Sequence, residues 1–114
     1  MKHAMKLNLS PFKMIESGEK TIELRLYDEK RQRVQVGDEI EFTCTEGAEA
    51  PFTVEVKAMH VFDSFAALYA ALPLLKCGYT EEDVGEADPR DMELYYSPEE
   101  QARYGVVGIE VERK

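Results

Sequence analysis

Residues 13–42 read KMIESGEKTIELRLYDEKRQRVQVGDEIEF. The stretch parses as a short helix ending at Gly18, a strand over 21–27, a charged loop, and a Gly37-Asp38 turn into a second strand. Side chains alternate across a strand, which sorts the first strand into two faces. Ile22, Leu24 and Leu26 form the core face. Thr21, Glu23, Arg25 and Tyr27 form the other, with Lys20 at the strand entrance. A hydroxyl, a carboxylate, a guanidinium and a phenol therefore stand in one row beside an ammonium.

Working outward, residues 5–9 alternate well enough for a first strand, with Leu7 and Leu9 on one face. Ser10 is expected to cap the helix, with Pro11 at its first position, where the missing N–H costs nothing; Phe12, Met14 and Ile15 supply its buried side. After the charged loop, Val34 and Val36 are expected to rejoin the core. Ile40, Phe42 and Cys44, or their neighbours, are expected to face inward from the second strand. Residues 52–61 form the longest strand candidate: Phe52, Val54, Val56 and Ala58 share a face, and a change of parity before Val61 suits a bulge. Asp63-Ser64 caps a helix with Phe65, Leu68, Tyr69 and Leu72 at helical spacing. An acidic turn at Thr80 and a short helix over 90–96 follow. Ser97-Pro98-Glu99-Glu100 is a capping box for a helix that stops before Gly105, and Val106, Val107, Ile109 and Val111 mark a closing strand. Strands with short helices between them suit a small, partly open barrel.

The totals point to one domain spanning 1–114, large enough to bury a core without disulfides. An apolar fraction of 44% and a charged fraction of 32% are ordinary for a soluble globular chain. The sequence holds no apolar run near the roughly 18 residues of a membrane span and no signal-peptide core, so a cytoplasmic setting is expected. Cys44 and Cys77 are expected to be reduced thiols. His3 and His60 are far apart, with no Cys or carboxylate at ligand spacing, and neither a metal nor a cofactor is expected. The net charge of −9 argues against indiscriminate binding to a phosphate backbone. Residues 1–36, however, hold eight Lys or Arg against five acids, and the remainder six against eighteen. An anionic ligand is therefore expected at the N-terminal third.

The run Gly18-Glu19-Lys20-Thr21-Ile22-Glu23-Leu24-Arg25, followed by Gly37-Asp38-Glu39-Ile40-Glu41-Phe42, resembles the signature of the ASCH domain, a branch of the PUA-like superfamily. The likeness extends from Met5 to Val111 and is closest to small single-domain bacterial or archaeal forms. It implies an α+β fold, a mixed β-barrel of about five to six strands with short helices at the rim. It also implies a cleft beside the polar row, used among PUA-like relatives for RNA or modified nucleosides. In one branch of small ASCH proteins the cleft removes the acetyl group from N-acetylated cytidine, using a Lys in the Gly-x-Lys-Thr motif, a Thr three residues later, and a distant Glu. Lys20 matches the first. Glu23 stands where the Thr would be, and acyl transfer through a hydroxyl needs the hydroxyl. Glu81, Glu82, Glu86 and Glu93 all fall in the region of the distant acid.

The expected ligand-binding residues are thus Lys20, Thr21, Glu23, Arg25 and Tyr27, with Lys20 and Glu23 as the catalytic pair if the protein is an enzyme. Tyr95, Tyr96 and Tyr104 are further stacking candidates. The N–H groups of Ser10 and Phe12 could meet an anion. The leading expectation is a module that binds RNA or a nucleotide-sized ligand. The alternatives are a small amidohydrolase acting on N-acylated nucleosides and a protein-interaction domain working through its acidic C-terminal part. The oligomeric state is not readable from the sequence.

Overall fold

The computed structural model describes all 114 residues. In chain order the elements are β1 (Lys2–Leu7), α1 (Leu9–Ser17), β2 (Ile22–Leu26), β3 (Glu39–Cys44), β4 (Phe52–Phe62), α2 (Phe65–Ala71), α3 (Pro98–Tyr104) and β5 (Val106–Arg113). Short 3-10 turns at Arg31–Arg33, Leu74–Lys76, Val84–Glu86 and Pro89–Leu94 complete the chain. The five strands form one sheet in the order β1-β3-β4-β5-β2. Only β1 and β3 run parallel. The sheet curls into a half-barrel, so the fold is α+β as the composition of elements suggests. No helix is long and apolar enough to cross a membrane.

Strand β5 is apolar on both faces because both are covered. Val107, Ile109 and Val111 join the thirteen-residue barrel core built around Phe12, Ile40, Phe42, Val54 and Val56. Val106, on the opposite pleat, joins a second cluster with Ile22, Leu24, Leu26, Phe65, Leu68 and Met92. Gly108 lies on that second face. A Cβ there would come within 2.7 Å of Leu72 Cδ1 and 3.0 Å of Ile22 Cγ2, so a side chain would hold the covering layer away from the sheet.

Several expectations shift in detail. Helix α1 begins at Leu9 with Asn8 as its N-cap, not Ser10, and no side chain caps it. Phe12 N–H donates to Asn8 O at 3.0 Å, the first bond of the helix. Pro11 therefore sits third instead of first, a position whose N–H also has no intrahelical partner. The bulge in β4 comes at Lys57, between the pairs Val56–Val111 and Ala58–Glu110. The parity does change, so that Val61 faces Val107. At the strand end, however, Val61 remains 48% exposed while Met59 packs on the core. Val36 is exposed, since the turn into β3 lifts it clear of the barrel, and Val34 alone returns to the core. Both Ser64 and Ser97 cap their helices, the latter in a full capping box with Glu100.

Candidate functional site

The polar row is positioned by the helix stop before it. Gly18 takes φ 88°, a left-handed value that ends α1 without a Cβ penalty. Lys20 N–H then donates to Met14 O at 3.0 Å, folding the chain back against the helix. Thr21 is tied on both sides, its N–H to Lys76 O and its carbonyl to Val111 N–H. From there β2 runs antiparallel to β5, with Glu23 opposite Ile109 and Arg25 opposite Val107. Opposed residues share a face, so Glu23 and Arg25 stand on the inner face of the half-barrel, while Ile22, Leu24 and Leu26 pack outward under α2.

Glu23 is the centre of a buried ion cluster. It is 5% exposed and Lys20 is 8% exposed. Lys20 Nζ lies 2.8 Å from Glu23 Oε1, and Arg25 Nε lies 2.7 Å from Glu23 Oε2. Burial alone would raise the Glu23 carboxyl, but the Lys20 ammonium and the Arg25 guanidinium outweigh it and hold it below its ordinary value. Burial would likewise lower Arg25, yet Glu23 keeps it raised. Glu23 and Arg25 are therefore both charged at neutral pH.

The cluster opens onto a cleft of about 600 Å³, a volume in the range of small-molecule sites. Lys20, Glu23 and Arg25 all line it. Thr21 and Tyr27 do not: Thr21 is held between Lys76 and Val111, and Tyr27 packs against the barrel core. Residues 6–8, 10 and 11, at the end of β1 and the start of α1, close one end of the cleft. Phe12 lies in the barrel core and does not line the cleft. The segment after α2 contributes Cys77, Gly78 and Tyr79, and the Pro89–Leu94 turn with its continuation contributes Asp91, Met92, Leu94, Tyr95 and Tyr96. Leu94 and Tyr95 stand at the mouth, 85% and 65% exposed. The stem of Lys20 runs past Gly78, where a Cβ would sit 3.4 Å from Lys20 Cδ.

A second polar group in the cleft went unrecognised in the sequence. Tyr69 Oη lies 2.7 Å from Tyr79 Oη, and Tyr79 O–H donates to Asp91 Oδ2 at 2.7 Å. Burial and these two partners raise the Tyr79 phenol well above its ordinary value, so its proton stays in place. Besides Glu23, the acids in the cleft are Asp83 and Asp91; Glu81, Glu82, Glu86 and Glu93 are all exposed and lie outside it. The available signal was the spacing Asp88-x-x-Asp91. Asp91 caps the backbone of Asp88, which turns its carboxylate back toward Tyr79. Tyr96 also lines the cleft, whereas Tyr104 does not.

A half-barrel with an ion cluster at the floor of a tyrosine-lined cleft defines the class: a small α+β open-barrel domain. The family-model comparison narrows it, since the ASCH domain matches residues 5–114, and the chain belongs to the ASCH domain family. Among solved structures, the crystal structure of hypothetical protein PH0355 is 34% identical over 100% of both chains, with a TM-score of 0.81. A solution NMR structure of a Pyrococcus furiosus protein is also 34% identical, covering 99% of this chain and 97% of its own, with a TM-score of 0.75. The crystal structure of ASCH from Zymomonas mobilis shares the fold at 17% identity and a TM-score of 0.64, over 96% of this chain and 65% of its own. No curated protein matched the chain.

Proposed function

We propose that this ASCH domain is a binding module whose cleft receives one nucleotide of a single-stranded RNA. The observation that carries the reading is the convergence of the buried Lys20 and Glu23 and the half-buried Arg25 on a cleft of nucleotide size. Sequence-specific recognition of RNA works on unstacked bases set against aromatic faces and read along their edges. Tyr79, Tyr95 and Tyr96 offer such faces, and the exposed Leu94 and Tyr95 extend the surface past the mouth to meet a neighbouring base. Lys6, exposed at the same cleft, is placed to meet a phosphate.

Amide hydrolysis gains less support. Position 23 carries no hydroxyl, and its carboxylate, held charged by two cations, is a weak general base. Thr21, the nearest hydroxyl in the motif, lies outside the cleft.

Fluorescence anisotropy with a labelled single-stranded RNA octamer tests the reading. The wild type is expected to bind in a salt-dependent manner, and Lys20→Ala to weaken binding by roughly tenfold or more, because a charge-assisted hydrogen bond is lost from a buried site. Thermal unfolding of the variant checks that it remains folded. Absence of RNA binding by the wild type, or full binding by a folded Lys20→Ala, would sink the proposal.

A further inference from the structure

The cleft is electrically balanced and polarised in its hydrogen bonding, and together these features define the base it accepts. Three cations, Lys6, Lys20 and Arg25, share it with three carboxylates, Glu23, Asp83 and Asp91. A neutral group is desolvated there without a net electrostatic penalty, so the base, not the phosphate, belongs inside.

Donors and acceptors are separated. Lys20 Nζ carries three hydrogens and directs one to Glu23, leaving others for a ligand acceptor. The Tyr79 hydroxyl has one hydrogen, and Asp91 Oδ2 receives it. In the 2.7 Å contact between the two phenols, Tyr69 must then be the donor. With its only hydrogen committed to Tyr79, Tyr69 Oη faces a ligand as an acceptor. Asp91 and Asp83 add only carboxylate oxygens. Tyr69, Tyr79, Asp83 and Asp91 can therefore receive hydrogens and offer none.

We infer, resting on the binding reading above, that the cleft selects a base whose Watson–Crick edge sets an exocyclic amine beside an unprotonated ring nitrogen, cytosine or adenine, and rejects uracil. A ring nitrogen beside the amine accepts from Lys20, and the amine donates to Tyr69 Oη and the Asp91 carboxylate. Uracil has a carbonyl oxygen where cytosine has its amine. That oxygen would face acceptors with no hydrogen between them, and a mismatch of this kind disfavours uracil. Tyr79 is the specificity-determining residue, since its bond to Asp91 sets the direction of the Tyr69 hydroxyl.

Anisotropy titrations of fluorescein-labelled C8, A8 and U8 octamers, at one fixed salt concentration, test this with the wild type and Tyr79→Phe. C8 and A8 are expected to bind the wild type roughly tenfold or more tightly than U8. Tyr79→Phe removes the acceptor for Tyr69, frees its hydrogen to turn toward the ligand, and is expected to narrow that gap by improving U8. Thermal unfolding of the variant confirms that it is folded. Equal or tighter binding of U8 by the wild type, or an unchanged gap in a folded Tyr79→Phe, overturns the selectivity while leaving the RNA-binding reading standing. Failure of the wild type to bind any octamer removes that reading and the inference with it.

Discussion

Arg25 Nη2 donates to the Lys6 carbonyl at 2.8 Å, tying β2 to β1 across the open side of the half-barrel. These are the two edge strands of the sheet, and no backbone ladder joins them. Lys30 Nζ makes a second tie of the same kind to Ala4 O at 3.0 Å. Edge carbonyls that would otherwise lie open to pairing with another chain are thereby covered by cations. Arg25 thus has two tasks, closing the seam with one nitrogen and neutralising Glu23 with another. Replacing it by Met removes both and leaves the buried Glu23 with Lys20 alone. Breaking a buried pair costs about 3 kcal/mol, and urea unfolding should find Arg25→Met destabilised by about that amount. Arg25→Lys keeps the charge but cannot span both partners, and is expected to lose about 1 kcal/mol.

Acid should unfold the protein partly through the same cluster. Glu23 is held below its ordinary value in the folded chain and returns to it on unfolding, so the unfolded state binds more protons as the pH falls. Its stabilisation is complete above the ordinary carboxylate value and is lost as the pH drops through the folded one. Asp38 follows the same sign. The contact of its Oδ2 with His3 at 2.9 Å, helped by the Gln35 backbone N–H, holds it at about 2, against an ordinary 3.8. Thermal midpoints measured from pH 6 down to pH 2 should fall most steeply below about pH 4. Glu23→Gln should be less stable at pH 7, where it strands two cations, and should show a flatter acid limb. A wild-type midpoint unchanged down to pH 2 would contradict this account.

Local rules carried most of the fold. The Gly18 stop, the period-two alternation of 22–26, the Ser64 and Ser97 caps and the double-faced apolar run of β5 each depend on neighbours within a few residues, and each is in place. The site was half legible for the opposite reason. Glu23 and Arg25 share a strand and its pleat, with Lys20 at its entrance, so their alignment follows from the sequence. That Glu23 would be buried between two cations, and that Tyr27 would be drawn into the core, depends on how far the sheet curls. The Tyr69–Tyr79–Asp91 chain joins residues 10 and 12 positions apart across irregular backbone, where no periodicity connects them. Val36 misled because apolar character says what a residue tolerates, while the path of the turn decides whether anything covers it.

Gly105 should be among the least replaceable positions. It ends α3 with φ 72° and ψ −172°, a region that residues with a Cβ essentially never occupy. A Cβ there would also meet the Phe62 carbonyl oxygen at 2.9 Å, and that atom belongs to the backbone at the end of β4. Since neither the turn nor the strand can yield cheaply, Gly105→Ala is expected to cost about 2–3 kcal/mol in urea unfolding. Gly47→Ala is the control for positive φ without crowding, because its Cβ would meet nothing within 4 Å. It should cost about 1 kcal/mol. Equal losses at the two sites would mean that the contact with Phe62 contributes nothing.

Cys77 gives a chemical readout of the cleft without any ligand being named. It lines the cavity yet is 5% exposed, and burial pushes its thiol up to about 11. The thiolate is the reactive form, so Cys77 in the folded protein should resist iodoacetamide at pH 8, whereas the same residue in urea should be alkylated readily. Cys44, at the end of β3 and less buried, serves as the internal comparison. Peptide mapping by mass spectrometry after timed alkylation separates the two sites. Lys20 is the one group that pulls the Cys77 thiol downward, so Lys20→Ala should slow Cys77 further if the fold is retained. Faster alkylation of Cys77 in that variant would instead report that the floor of the cleft had opened, and would assign Lys20 a packing role in place of a binding one.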